Sequence, residues 1–338
     1  MMLPLPERGL RRSVKKHNSD WSILLDWVQG SALFGRQPVS KTNVVDALCD
    51  GAIYVPREAE DPADDEASTA TTKQELVYQA ADIIWAQIEA RHRWLGPCSP
   101  FLISASALEA PIDWRQAPAY SFCLILALVH HYHSLSLDPP AAADGAAAAG
   151  FVDQGELFEL LSAASLEAHG WEVKRIGWAP DRTVTFADAV SDVAEFMHET
   201  DRINDKLIEL YKEKKEMGLD LVCCRRFCDL RPGIPYFLIQ CASGADWPDK
   251  THTPDLELWR EVIPFAAAPR RGFAIPFGFG DETDFYKGAK RTHGVLLDRY
   301  RIMSVGKAEA EWVPSGLREK LLQWLEPRID KVLKYDPS

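Results

Sequence analysis

Apolar positions recur every three to four residues in several stretches of the chain and alternate or run together in others. In 73–94, Leu76, Val77, Ala80, Ile83, Ile84, Ile88 and Ala90 follow a helical period that Gly96 and Pro97 close. Shorter helical patterns occupy 21–29 and 120–131, and 154–169 reads as a further helix. Residues 315–333 predict a closing amphipathic helix, kinked or broken at Pro327. A long helical region with a strongly charged second half is expected over 186–217, and 256–262 reads as a short helix. The patterns at 171–176, 219–227, 236–243, 272–279 and 294–302 predict strands, the second and third joined by a turn at 229–233. Residues 1–20 read as a loose basic arm, and 58–72, acidic and poor in large apolar residues, as a solvated loop or linker.

These elements predict an α/β chain: a mainly helical N-terminal unit over 1–137, a low-complexity Ala/Pro/Gly linker over 138–150, and a mixed domain over 151–338. No repeat of 20–50 residues is apparent, so a solenoid is not expected.

Composition narrows the picture. The 338 residues are 46% hydrophobic and 26% charged, the balance of an ordinary globular protein. The longest apolar run, 122–129, is too short to cross a bilayer, and the basic start lacks the apolar core of a secretory signal, so a cytoplasmic setting without membrane contact is expected. Seven scattered cysteines read as reduced thiols; Cys223, Cys224 and Cys228 lack a second pair at zinc spacing. The net charge of −12 counts against autonomous high-affinity DNA binding, and leaves open a local basic cleft or delivery to DNA by a partner.

Chemistry concentrates in the mixed region. Asp220 interrupts the apolar run 219–222, and a buried carboxylate there requires a cation or hydrogen-bond donors. Gln240 comes late in the next apolar strand and faces the same way as position 242. If the intervening turn closes an antiparallel hairpin, Asp220 and Gln240 meet on one face, as two oxygen ligands of Mg²⁺ would. Glu156 and Glu159 share a helix face, and Ser162 and Ala163 are small enough to let that face approach a sheet. Against this stands a plain structural reading, in which Asp220 pairs with Arg225, Arg226 or Lys250. His130, His131 and His133 read as a polar helix end, Gly278, Gly280 and Gly288 do not form a phosphate loop, and 298–301 (Asp-Arg-Tyr-Arg) reads as a surface charge pair.

The order of these motifs resembles the PD-(D/E)xK restriction-endonuclease-like superfamily, and especially Mrr-type nucleases. The matching residues are Phe158-Glu159, Gly170-Trp171-Glu172-Val173, Gly218-Leu219-Asp220-Leu221-Val222 and Ile239-Gln240-Cys241-Ala242, spread over about 100 residues. The resemblance implies a mixed central sheet flanked by helices, with Asp220 as central metal ligand, Glu159 binding metal or positioning water, and Gln240 at the acid-or-glutamine position. It implies Mg²⁺ or Mn²⁺, DNA as substrate, and a defence or restriction role beside a protein partner. The family's lysine falls at Ala242, so Lys250 is the expected substitute in a catalytic set of Glu159, Asp220, Gln240 and Lys250. Two functions follow: a metal-dependent DNA endonuclease, or an inactive nuclease fold used as a binding or assembly subunit of a defence complex. Lys250 near Asp220 favours the first and Lys250 turned to solvent the second. A helical regulatory protein of a third kind would leave Asp220 and Gln240 apart.

Overall fold

A computed structural model of the chain describes residues 2–10, 20–53, 68–133, 135, 154–176, 185–199, 203–212, 217–229 and 231–335. Its first part contains helices α1 (Asp20–Gly35), α2 (Lys41–Asp50), α3 (Ser68–Leu95) and α4 (Pro118–Val129). With them goes a small antiparallel sheet in the order β1-β3-β2, formed by β1 (Val39–Ser40), β2 (Leu102–Ile103) and β3 (Ala107–Glu109). Every residue of α4 is buried, which is why its sequence is apolar on all sides rather than striped.

The second part runs α5 (Gln154–Ala168), β4 (Glu172–Arg175), α6 (Phe186–Met197), α7 (Asp205–Leu210), β5 (Leu221–Cys224), β6 (Tyr236–Cys241), α8 (Leu256–Val262), β7 (Arg270–Ala274), α9 (Glu282–Thr292), β8 (Val295–Leu297), α10 (Arg299–Met303), α11 (Glu309–Trp312) and α12 (Ser315–Leu333). The five longer-range strands form one mixed sheet in the order β4-β5-β6-β7-β8. β4, β5 and β6 are antiparallel, whereas β7 and β8 add in parallel through crossovers containing α8 and α9. The chain is therefore α/β with helices on both faces of a mixed sheet.

Alternation along the strands divides the core. Leu221, Cys223, Ile239 and Ala274 join the large cluster built by α1, α4, α5 and α12. Val222, Cys224, Tyr236 and Leu238 face α6 and α8 instead. The expected linker, 138–150, lies outside the described residues; the segments before and after it share the first of these cores. No described helix is long and apolar enough to cross a membrane.

Several expectations are corrected. The start of the chain is not loose throughout: Leu3 is buried, its N–H donates to Ser31 Oγ, and its carbonyl accepts from Trp27 Nε1 at 2.9 Å. Helix α3 begins at Ser68, inside the expected 58–72 loop. The 186–217 helix stops at His198, a left-handed C-cap, and among the described residues of that stretch the short α7 follows. The strand expected over 294–302 ends at Leu297, where Asp298 accepts from Arg301 N and starts α10. Helix α12 continues through Pro327 without a break.

The 298–301 segment is not a surface pair. Arg299 is fully buried and forks onto Asp26 of α1, Nη1 to Oδ1 at 2.8 Å and Nη2 to Oδ2 at 3.0 Å. Buried Arg91 of α3 reaches the same Oδ1 at 2.8 Å and Gln29 Oε1 at 3.0 Å, and Tyr300 donates to Gln29 as well. Burial opposes the charge on Asp26, but Arg299 and Arg91 outweigh it and hold the carboxyl below its ordinary value.

Glu309 ties α11 to α4 by accepting from Ala119 N at 2.8 Å and Tyr120 N at 2.9 Å, which satisfies two amides of the helix start. Burial pushes its carboxyl up to about 7 despite those bonds. A raised carboxylate contributes stability that is complete below its unfolded value near 4.5 and is lost as pH rises through about 7. Denaturant titrations at pH 5 and pH 8 are expected to show a larger loss in the wild type than in Glu309→Gln. Equal losses would remove Glu309 from this account.

Candidate functional site

The site is assembled where β4, β5 and β6 meet under α5. Asp220 lies just before β5, held on both sides: its N–H donates to Ile239 O at 3.0 Å and its carbonyl accepts from Ile176 N at 2.8 Å. The expected antiparallel pairing of the two strands is present, with Leu221 opposite Ile239. Gly218, at φ 72°, lets the chain enter closely; a Cβ there would lie 2.6 Å from Gln240 Oε1 and 2.8 Å from Thr253 Cβ.

Asp220 and Gln240 converge as the hairpin argument requires. Gln240 Nε2 donates to Asp220 Oδ2 at 2.7 Å, and the backbone N–H of Cys241 donates to the same oxygen at 2.5 Å. Two donors at one oxygen are what a carboxylate only 8% exposed needs. The salt-bridge alternative is not seen in the described contacts of its proposed partners: Arg226 pairs with Glu172, and Arg225 donates to His169 O and stacks on Trp171.

From above, α5 brings its acidic face to the same place. Arg175, at the end of β4, sends Nη2 to Glu159 Oε2 at 2.9 Å, and its Nη1 lies 4.0 Å from Glu156 Oε1. Cys241 sits between the two acidic elements beside Ser162: burial first, then the charges of Asp220 and Glu159, push its thiol well above the ordinary value. The helix acids, Asp220, Gln240 and Cys241 thus form one cluster with Arg175 as its cation. Sequence reasoning passed over Arg175, although its place two residues after Val173 put it on the strand face that turns toward α5.

Lys250 is placed differently. It closes a one-turn 3₁₀ helix (Trp247–Lys250), is about half exposed, and pairs with Asp246 Oδ2 at 3.1 Å; no described contact takes it to Asp220 or Glu159. Position 242 is set in an apolar cluster. Ala242 is 2% exposed and packs with Phe273, Ile275 and Leu296, with Trp247 against the same cluster.

The described partners of these side chains are protein groups, which bears on the expected Mg²⁺ or Mn²⁺. Hard cations need several convergent oxygen ligands. Here Glu159 holds a guanidinium, Asp220 Oδ2 holds two N–H groups, and Gln240 turns its amide nitrogen to the acid. Among the described residues no group of three or more Asp, Glu, His or Cys is arranged to hold a metal. The histidines serve elsewhere: His131 and His133 bond to Arg8, while His130 caps α4.

No family model, curated protein or solved structure matches the chain.

Proposed function

We propose that the chain carries a PD-(D/E)xK-like domain that works as a binding or assembly module, not as an endonuclease. The observation that carries this reading is the surroundings of Ala242, where the family's lysine would stand. A lysine there would place its ammonium among Phe273, Ile275 and Leu296, and the expected substitute, Lys250, is engaged with Asp246. The acids support it too, because their described partners are protein groups that tie α5, β4, β5 and β6 together. In such a module Asp220 is a structural acid. Its partner is a protein of the defence setting that the resemblance implies, since a net charge of −12 disfavours DNA as an autonomous ligand.

The convergence of Glu159, Asp220 and Gln240 favours a second reading, the Mg²⁺- or Mn²⁺-dependent DNA endonuclease, with Arg175 supplying the cation that position 242 lacks. Plasmid and phage DNA incubated with wild type and Asp220→Ala, with either metal, separates the two. The module reading expects no cleavage by either protein, together with a stability loss of about 1–3 kcal/mol in Asp220→Ala from the stranded donors of Gln240 and Cys241. Metal-dependent cleavage by the wild type that disappears in Asp220→Ala would overturn it.

A further inference from the structure

We propose that a cavity at the C-terminal ends of β6 and β7 binds a mononucleotide, a planar aromatic ring carrying a phosphate. The cavity measures about 550 Å³, within the range of small-molecule sites and too small for a nucleic-acid duplex. It opens where the loops that follow these two parallel strands meet α9 and the facing ends of α1 and α4. Crevices beyond the carboxyl ends of parallel strands are the usual ligand sites of open α/β sheets.

The lining is chemically divided. Trp247, Phe277 and Phe279 give it aromatic faces, with the Trp247 and Phe279 rings edge to face at 6.1 Å. Their packing continues into the Ala242 cluster, so the small residue that replaces the family's lysine also keeps the base of these rings apolar. Aromatic side chains accept a nucleobase by stacking with little regard to its identity.

On α9, Lys287 and Arg291 lie four residues apart and so share one helical face at the cavity, which Asp284 also lines. Lys287 is partly offset by Asp284 at 3.2 Å, whereas Arg291 has no acidic partner among the described residues. Two cations at the mouth of a cavity in a strongly acidic chain select an anion, and a guanidinium suits phosphate. His130, at the end of α4, also lines the cavity.

This proposal is independent of whether the acidic cluster is catalytic. Isothermal titration of the full chain with AMP, UMP, adenosine and inorganic phosphate tests it, alongside the double variant Lys287→Ala/Arg291→Ala. Both lysine and arginine are exposed, and a circular-dichroism melt checks that the variant folds. We expect at least one nucleotide to bind with a Kd below about 1 mM. Adenosine and phosphate alone should bind at least about tenfold more weakly, and the double variant should lose at least about tenfold in affinity. Absence of binding by both nucleotides, binding of adenosine as tight as that of AMP, or an unchanged affinity in the double variant would each overturn the proposal.

Discussion

Asp26→Asn is expected to lower the unfolding free energy by about 3–5 kcal/mol, the usual cost of removing one partner from a buried ion pair. The substitution keeps the side chain's shape but strips the charge that Arg299 and Arg91 share. Both arginines are fully buried, so water cannot replace the lost carboxylate. The amide also offers an N–H where a guanidinium needs an acceptor. Denaturant unfolding of the two proteins at one pH measures the difference. A loss below about 1 kcal/mol would mean that the arginines find other acceptors, and the network would not be the junction between α1, α3 and α10 described above.

Placing at position 242 the lysine that the resemblance expects, Ala242→Lys, is predicted to fail twice. The ammonium would enter a cluster of Phe273, Ile275, Leu296 and Trp247, and both its volume and its desolvation act against folding. A loss of about 3 kcal/mol or more follows, with no DNA cleavage gained. Unfolding titrations together with the plasmid assay check both parts. A stable variant that cleaves DNA with Mg²⁺ would show that position 242 still faces the acids, and the module reading would fall.

The parts of the fold that were legible rest on local rules. Helices α3, α5, α8 and α12 announce themselves by apolar period and α4 by an unbroken apolar run, and the meeting of Asp220 with Gln240 follows from one turn and strand alternation. What escaped depends on partners distant in sequence. Arg299 reads as a surface residue until Asp26, 273 positions away, is placed against it. The acid inside the apolar stretch 21–29 was the available signal. Arg175 was overlooked because a cation at a strand end has no meaning until α5 lies over it. Helix α9 is mostly polar and carries few apolar residues to mark it, although Asp281 marks its start as an N-cap. The end of α6 at His198 was hidden because a histidine, not a glycine, takes the left-handed cap.

The central claim is that Glu159 and Asp220 are engaged by protein groups and do not serve a catalytic metal. Crystals soaked in Mn²⁺, with data collected for the anomalous signal of manganese, test it directly. The account predicts no anomalous peak within coordination distance of Asp220 or Glu159, with Arg175 still on Glu159 and Gln240 still on Asp220. A manganese ion bound by both carboxylates, with Arg175 displaced, would contradict it.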